Sequence, residues 1–545
     1  MTKLFKKYFN IIFFTILTVI SVILYKDFGI SLDENITRRN GLVNLKYIFD
    51  FFSFSNLSSK EIFYGIEHLS DYFDKNYGAF FEILNVYFIE IILGKKSFPD
   101  IFYTRHLINH FLFLISLFYF YKLSKKLKFN FYLSTLGVVL LYSTPRIFSN
   151  SFYNGKDLAF LSIFIILVYY SIKCLKKLNL KNAILFSIFF ALSFNLRPIS
   201  IYLPLLLTFF IFLESLIYGS SFKKNFKYIF LIFFLSILIV ILIQPLLWTN
   251  TLNNFFEIIG TFANFERWDH QVFYTGKFYK SFYLPNHYLF VMFFSTTPPL
   301  ISLVGLIGFL IIFLRLINRF LKIEENKKLN EIWRGENEKI MLFVFFLLVL
   351  PLFFFLILNS VLYNGWRHFY FLYPLFIVQL LFSLRFFEIK LRKSKFKKLI
   401  FALMIAMFLN NITALIMMHP YQGSYFNIFF KKEANKYFEI DYWGLANKNA
   451  LEHLVKINKK KDVLNVGVAS FTNLHLSKNM LSEDQKKRIN IVGQEYQKAD
   501  YIFTNFYYEV DINYDDKYQI PKNFSKIFST KRGNIVINEI YERIN

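Results

Sequence analysis

The feature that most limits what this chain can fold into is a succession of apolar runs, most of them long enough to cross a bilayer, separated by basic or polar segments. A helical span needs roughly 20 apolar residues to cross the hydrocarbon layer. On that rule the sequence predicts about eleven membrane helices, near 8–25, 104–121, 131–145, 158–173, 182–195, 199–217, 228–248, 297–316, 340–358, 367–385 and 398–418. The runs at 131–145 and 182–195 are short and predict a tilted or re-entrant course. With 55% hydrophobic and 21% aromatic residues in 545, the apolar surface exceeds what a water-facing domain hides, so lipid is the natural solvent.

The charge pattern orients these runs. A net charge of +26 on one soluble face would point to nucleic acid, but here Lys and Arg fall in short blocks between apolar runs, and no nucleic-acid partner is expected. Lys122, Lys125, Lys126 and Lys128 form one block; Lys173, Lys176 and Lys177 a second; Lys223, Lys224 and Lys227 a third. Two more lie within 315–339 and 385–398. All fall on the side of the N-terminus, which predicts N-in and C-out. The segment 8–25 follows Lys3, Lys6 and Lys7 like a signal peptide, yet it is too long for one and lacks a small-residue cleavage site, so it reads as a retained helix.

Three segments stand outside the spans. The first outer loop, 26–103, carries semi-apolar stretches that suit helices lying along the interface, and the second, 249–288, is polar and aromatic. Together with the spans these make a membrane domain over 1–418. Beyond it, 419–545 loses hydropathy and reads as a small extracytoplasmic α/β domain, with buried strands expected at 462–470 and 499–505. No internal repeat supports an inverted-repeat transporter. The single cysteine, Cys174, excludes an internal disulfide and a multi-cysteine metal site, and no HExxH spacing is present. No cofactor is expected; a divalent metal stays open.

The outer ends of the helices gather an unusual set of ionisable groups: Asp33 and Glu34 after the first run, Arg105 and His106 opening the second, Lys156 and Asp157 before the fourth, Arg197 before the sixth, and Arg367 with His368 opening the tenth. Each has a bland alternative. Asp33 and Glu34 fit a solvated loop or a helix N-cap, the arginines fit snorkelling to headgroups, Lys156–Asp157 fits a local ion pair, and the histidines fit packing. Their coincidence at one level is what points to a site. Arg and Lys neutralise phosphate, and a carboxylate accepts a proton from an attacking hydroxyl, so the set suits a phosphorylated lipid substrate.

Several stretches then carry a resemblance: Leu32-Asp33-Glu34 after an N-in helix, Asn154-Gly155-Lys156-Asp157, Leu196-Arg197-Pro198, Gln244-Pro245-Leu246-Leu247-Trp248, Tyr363-Asn364-Gly365-Trp366-Arg367-His368-Phe369, and above all His419-Pro420-Tyr421-Gln422, Tyr425-Phe426-Asn427 and Asp441-Tyr442-Trp443-Gly444. In this order they resemble the polytopic type C glycosyltransferases of the family 39 group, which includes protein O-mannosyltransferases and lipid A aminoarabinose transferases. The resemblance implies transfer of a sugar from a polyprenyl-phosphate donor to a lipid, glycan or protein acceptor outside the cytoplasm of a bacterium, at its inner (plasma) membrane. It implies an inverting displacement, with Asp33 as general base and Glu34 as its neighbour. Arg105, Lys156, Arg197 and Arg367 would then hold the donor phosphate, and His106, Asp157 and His368 would border the substrate. A flippase or exporter of lipid-linked sugars, or an O-antigen polymerase or ligase, are the competing readings.

Overall fold

The computed structural model describes residues 3–218, 222–263, 268–321, 333, 335–358, 360–394, 397–459 and 461–544. Among them, eight helices are long and apolar enough to cross a membrane: Phe98–Lys126, Asp157–Lys176, Pro198–Leu216, Asn225–Ile243, Pro299–Arg319, Gly335–Leu358, Arg367–Lys390 and Lys398–Met418. A bent pair, Phe131–Ser143 and Pro145–Tyr153, makes a ninth if counted as one span, and the shorter apolar helices Tyr8–Leu24 and Leu180–Leu196 occupy the first and fifth expected runs. Length and composition therefore give eight or nine spans among the described residues, against the eleven expected. This is a helical, multi-pass membrane protein with a small C-terminal sheet domain.

Proline explains where the runs break. Thr144 is extended and Pro145 opens the next helix, which departs by 64°. The residue before a proline is pushed out of the helical region, and proline at the first helical turn lacks only an N–H that would be unpaired anyway. Gln244 before Pro245 repeats the device: the helix ends at Ile243 and a tight turn runs from Pro245 to Trp248. At the basic ends of the helices, Lys339 is buried with its ammonium 2.5 Å from Glu214 and 3.2 Å from the Leu175 carbonyl, so three helices are tied there.

The long segment 26–103 is built largely of short helices. Helix Glu34–Phe51 packs on helix Phe80–Val86, and Gly41 permits the close approach: a Cβ there would stand 2.5 Å from the Glu82 carbonyl oxygen. The Trp248 ring sits 5.1, 5.7 and 6.1 Å from those of Phe51, Phe52 and Tyr47, an aromatic cluster suited to the headgroup level. The second outer loop contributes helix Thr251–Ala263, the antiparallel hairpin β1 (Gln271–Tyr274) and β2 (Lys277–Lys280), and helix Tyr288–Thr296.

The C-terminal domain is a five-stranded sheet of β3 (Leu464–Val468), β4 (Ile489–Gly493), β5 (Tyr501–Thr504), β6 (Phe524–Arg532) and β7 (Ile535–Arg543), in the order β4-β3-β5-β7-β6. β3 runs parallel to β4 and β5, while β7 is antiparallel to β5 and β6. Helix Asn447–Ile457 buries Ala450, Leu451 and Leu454 against Leu464, Val466, Tyr501 and Phe503. Both strands expected from the sequence are present. The domain is docked on the membrane part through backbone bonds from Leu32 N to the Trp443 carbonyl (3.1 Å) and from Gln271 N to the Glu509 carbonyl (2.9 Å).

Candidate active site at the helix ends

Four chain breaks bring the site together. Asp33 precedes helix Glu34–Phe51, Asp157 opens helix Asp157–Lys176, Arg197 follows helix Leu180–Leu196, and Arg367 opens the span Arg367–Lys390. Asp33 stands at the N-cap position but makes no capping bond. Its carboxylate instead accepts from Arg367 Nη1 at 3.3 Å, and the same Nη1 lies 3.4 Å from Asp157 Oδ2. Arg197 Nη2 donates to Asp157 Oδ1, and Asn154 Nδ2 donates to Asp157 Oδ2 at 3.0 Å. The centre is thus two carboxylates interleaved with two guanidiniums, in the sequence Asp33–Arg367–Asp157–Arg197.

Accessibility separates the roles. The Asp157 side chain is 1% exposed and Arg367 5%, whereas Asp33 is 29% and Arg197 22%. Asp33 and Arg197 are therefore the members open to solvent, while Asp157 holds both guanidiniums from within. Arg367 is clamped from the other side by three rings, its guanidinium carbon lying 4.6, 5.3 and 5.0 Å from the centroids of Tyr363, Tyr442 and Trp443. Lys156 is the next cation, with a 26% exposed side chain, 3.8 Å from Asp74 and 4.3 Å over the Tyr77 ring. His368 borders the cluster, its ring 4.9 Å from that of Tyr363.

Three expected residues face elsewhere. Arg105, expected among the phosphate-holding cations, is buried, with Nη2 bonded to Glu82 and 3.3 Å from Thr37 Oγ1. Burial in the packed first loop selects a carboxylate partner for it, because an unpaired guanidinium there would be costly. Glu34 turns away from Asp33: its Oε2 accepts from Ser31 N at 2.7 Å and its Oε1 lies 2.9 Å from His106 Nε2. His106 also meets the Tyr25 carbonyl through Nδ1 at 3.2 Å. Glu34, Arg105 and His106 thus brace the first outer loop against helix Phe98–Lys126.

Other groups escaped sequence reading. Arg146, in the bent helix, is buried among aromatic residues, with its guanidinium 5.1 Å from the Phe426 ring and Nε 3.3 Å from the Tyr425 carbonyl. It lies under Gly365, which has a positive φ of 70° in the turn that aims Arg367. Glu439 accepts from Phe273 N at 3.1 Å, and enclosure by the hairpin and neighbouring tyrosines pushes its carboxyl up to about 8. Burial likewise pushes Asp441 up to about 6 although the Leu445 and Ala446 amides oppose it. Among the described residues, no group of three His, Cys, Asp or Glu side chains comes together in a way that could hold a metal ion.

The same fold is found in solved structures. The apo oligosaccharyltransferase of Archaeoglobus fulgidus superposes with a TM-score of 0.51 at 13% identity over 90% of this chain, which spans 65% of that enzyme's length. Apo ArnT of Cupriavidus metallidurans superposes with a TM-score of 0.50 at 9% identity, over 98% of both chains. The chain has the type C glycosyltransferase fold. The end-to-end coverage with ArnT includes the C-terminal domain as well as the spans. No family model matches the sequence, and no curated protein matches it.

Proposed function

We propose that this protein is a glycosyltransferase that moves a sugar from a polyprenyl-phosphate donor to an acceptor hydroxyl at the outer face of a bacterial plasma membrane. The observation that carries this reading is the pairing of one open carboxylate, Asp33, with the half-open cations Arg197 and Lys156 at the same helix ends. Asp33 takes the proton from the acceptor hydroxyl, the freed oxygen pair attacks the anomeric carbon, and the bond from that carbon to the phosphate oxygen breaks with inversion. The leaving phosphate gains a second negative charge. Arg197 and Lys156 stabilise it, with Arg367 orienting Asp33; removing one such donor typically raises the barrier by about 3–4 kcal/mol. Glu34, Arg105 and His106 position the loop that carries Asp33. The prenyl tail passes between the apolar helices into lipid.

The competing flippase reading needs cations facing phosphate but no base. Incubation of the purified protein with radiolabelled undecaprenyl-phosphate pentoses and hexoses, followed by extraction of released undecaprenyl phosphate, separates the two. The proposal expects release of the lipid phosphate from at least one donor; intact donor that only changes leaflet in proteoliposomes would overturn it.

A further inference from the structure

Beside the ionic centre, rings contributed by separate stretches of chain meet in one cluster. Trp268 of the second outer loop stacks on Tyr363 at 4.6 Å with an interplanar angle of 15°. His270 lies 5.3 Å from Phe471, and Phe471 lies 5.8 Å from Tyr507. Tyr442 closes the set, 5.0 Å from Tyr507 and 6.4 Å from Tyr363. Tyr442 and Tyr507 are buried, but Trp268, His270, Tyr363 and Phe471 each keep part of their surface open.

We infer that this cluster is the acceptor subsite, and that it takes the pyranose ring of a neutral saccharide. The inference rests on the glycosyl-transfer reading above and names the acceptor class that reading leaves open. Its position is the first argument. Tyr363 and Tyr442 are also the rings that clamp Arg367, whose Nη1 holds Asp33, so a molecule seated on the cluster lies beside the open carboxylate. Phe471 and Tyr507 follow the parallel strands β3 and β5 and are joined by a bond from Phe471 N to the Tyr507 carbonyl at 2.7 Å. Loops at the carboxyl ends of parallel strands are where α/β sheets present ligand-binding groups.

Chemistry is the second argument. An aromatic face is electron-rich and attracts positively polarised edges, which the C–H face of a pyranose supplies while its hydroxyls stay free to hydrogen-bond. The polar groups beside the rings fit hydroxyls. Asp33, held by Arg367, accepts a hydroxyl proton there. A few polar groups set among aromatic side chains is the usual composition of a small-molecule site.

The test uses the full-length protein in detergent. Saturation-transfer NMR is recorded with a panel of methyl glycosides, a phosphorylated disaccharide and a neutral tetrapeptide, alongside release of undecaprenyl phosphate from labelled donor with each compound as acceptor. The expected result is that a methyl glycoside binds and accelerates release. Phe471→Ala and Trp268→Ala, chosen because both rings are half-open, should each weaken glycoside binding by about tenfold, the loss expected for roughly 1.4 kcal/mol. Tyr514→Ala, an aromatic on the same domain that is 91% exposed and outside the cluster, should bind as the parent does. Donor-dependent release with no glycoside binding, or stimulation only by the peptide or phosphorylated sugar, overturns the saccharide inference. Absence of release from every donor overturns the underlying reading instead.

Discussion

Asp157→Asn probes the ionic centre where its charge is most enclosed. Asp157 accepts from Arg197, Arg367 and Asn154, and its carboxylate balances two guanidiniums jointly with Asp33. The amide keeps the shape but leaves the centre with one uncompensated positive charge. Removing one partner of a fully buried ion pair costs about 3–5 kcal/mol. Arg197 keeps 22% of its side chain open to solvent, so the cost is discounted to roughly 2–3 kcal/mol. Unfolding entropy of about 2.1 cal/mol/K per residue over 545 residues converts this to a Tm lowered by roughly 2–3 °C. A bound lipid phosphate supplies the missing negative charge, so saturating undecaprenyl phosphate should stabilise Asp157→Asn more than the parent and narrow the gap. Thermal unfolding followed by intrinsic fluorescence, with and without the lipid, measures both. An unchanged Tm, or a deficit that the lipid leaves untouched, would refute the assignment of Asp157 as the charge that balances both arginines.

Other outcomes follow from neighbouring groups. Glu439 has its carboxyl raised from 4.5 to about 8, so its contribution to stability is complete below about pH 4.5 and is lost as pH rises toward 8 and beyond; the Tm of Glu439→Gln should therefore fall less between pH 5 and 8.5 than that of the parent, and parallel curves would contradict the assignment. Gly365→Ala meets only ordinary contacts, 3.4 Å from Arg146 Nη1 and 3.6 Å from Met292 Cε, so its cost is the left-handed backbone, about 1–2 kcal/mol, with reduced transfer because the turn aims Arg367; parent-like turnover would show that the turn does not set the site. A protease-cleavable tag after Asn545 should be cut from outside in spheroplasts and one inserted within 324–338 should be protected, and the reverse pattern would invert the proposed orientation.

The sequence carried the fold through run length. Helices appear at each expected run because a stretch of twenty apolar residues has one stable arrangement in lipid. What it could not carry was the distance between segments. Asp33, Asp157, Arg197 and Arg367 were visible as charged residues at helix ends, and they do converge. Arg105 had the same local signature, yet its partner, Glu82, sits in helix Phe80–Val86, and nothing in the sequence paired that helix with the second run. Glu34 adjoins Asp33 in sequence but faces His106, because consecutive helical residues point in different directions. Arg146 and Glu439 carried no signal beyond their charges, one just after a short apolar run and one in the segment leading into the sheet domain. The aromatic cluster is assembled wholly from distant segments, and a sequence containing 36 tyrosines and 75 phenylalanines gives no means of choosing those that meet.

The central claim is that Asp33 is the base and that donor binding is a separate task of the cations. Asp33→Asn keeps the side chain's size and most of its hydrogen bonding to Arg367 but removes the basic lone pair. Single-turnover transfer from an active undecaprenyl-phosphate donor, measured with donor affinity on the same preparation, is the direct test. The account predicts a fall in rate of roughly 100-fold or more with donor affinity close to that of the parent. Transfer at the parent rate by Asp33→Asn would contradict it.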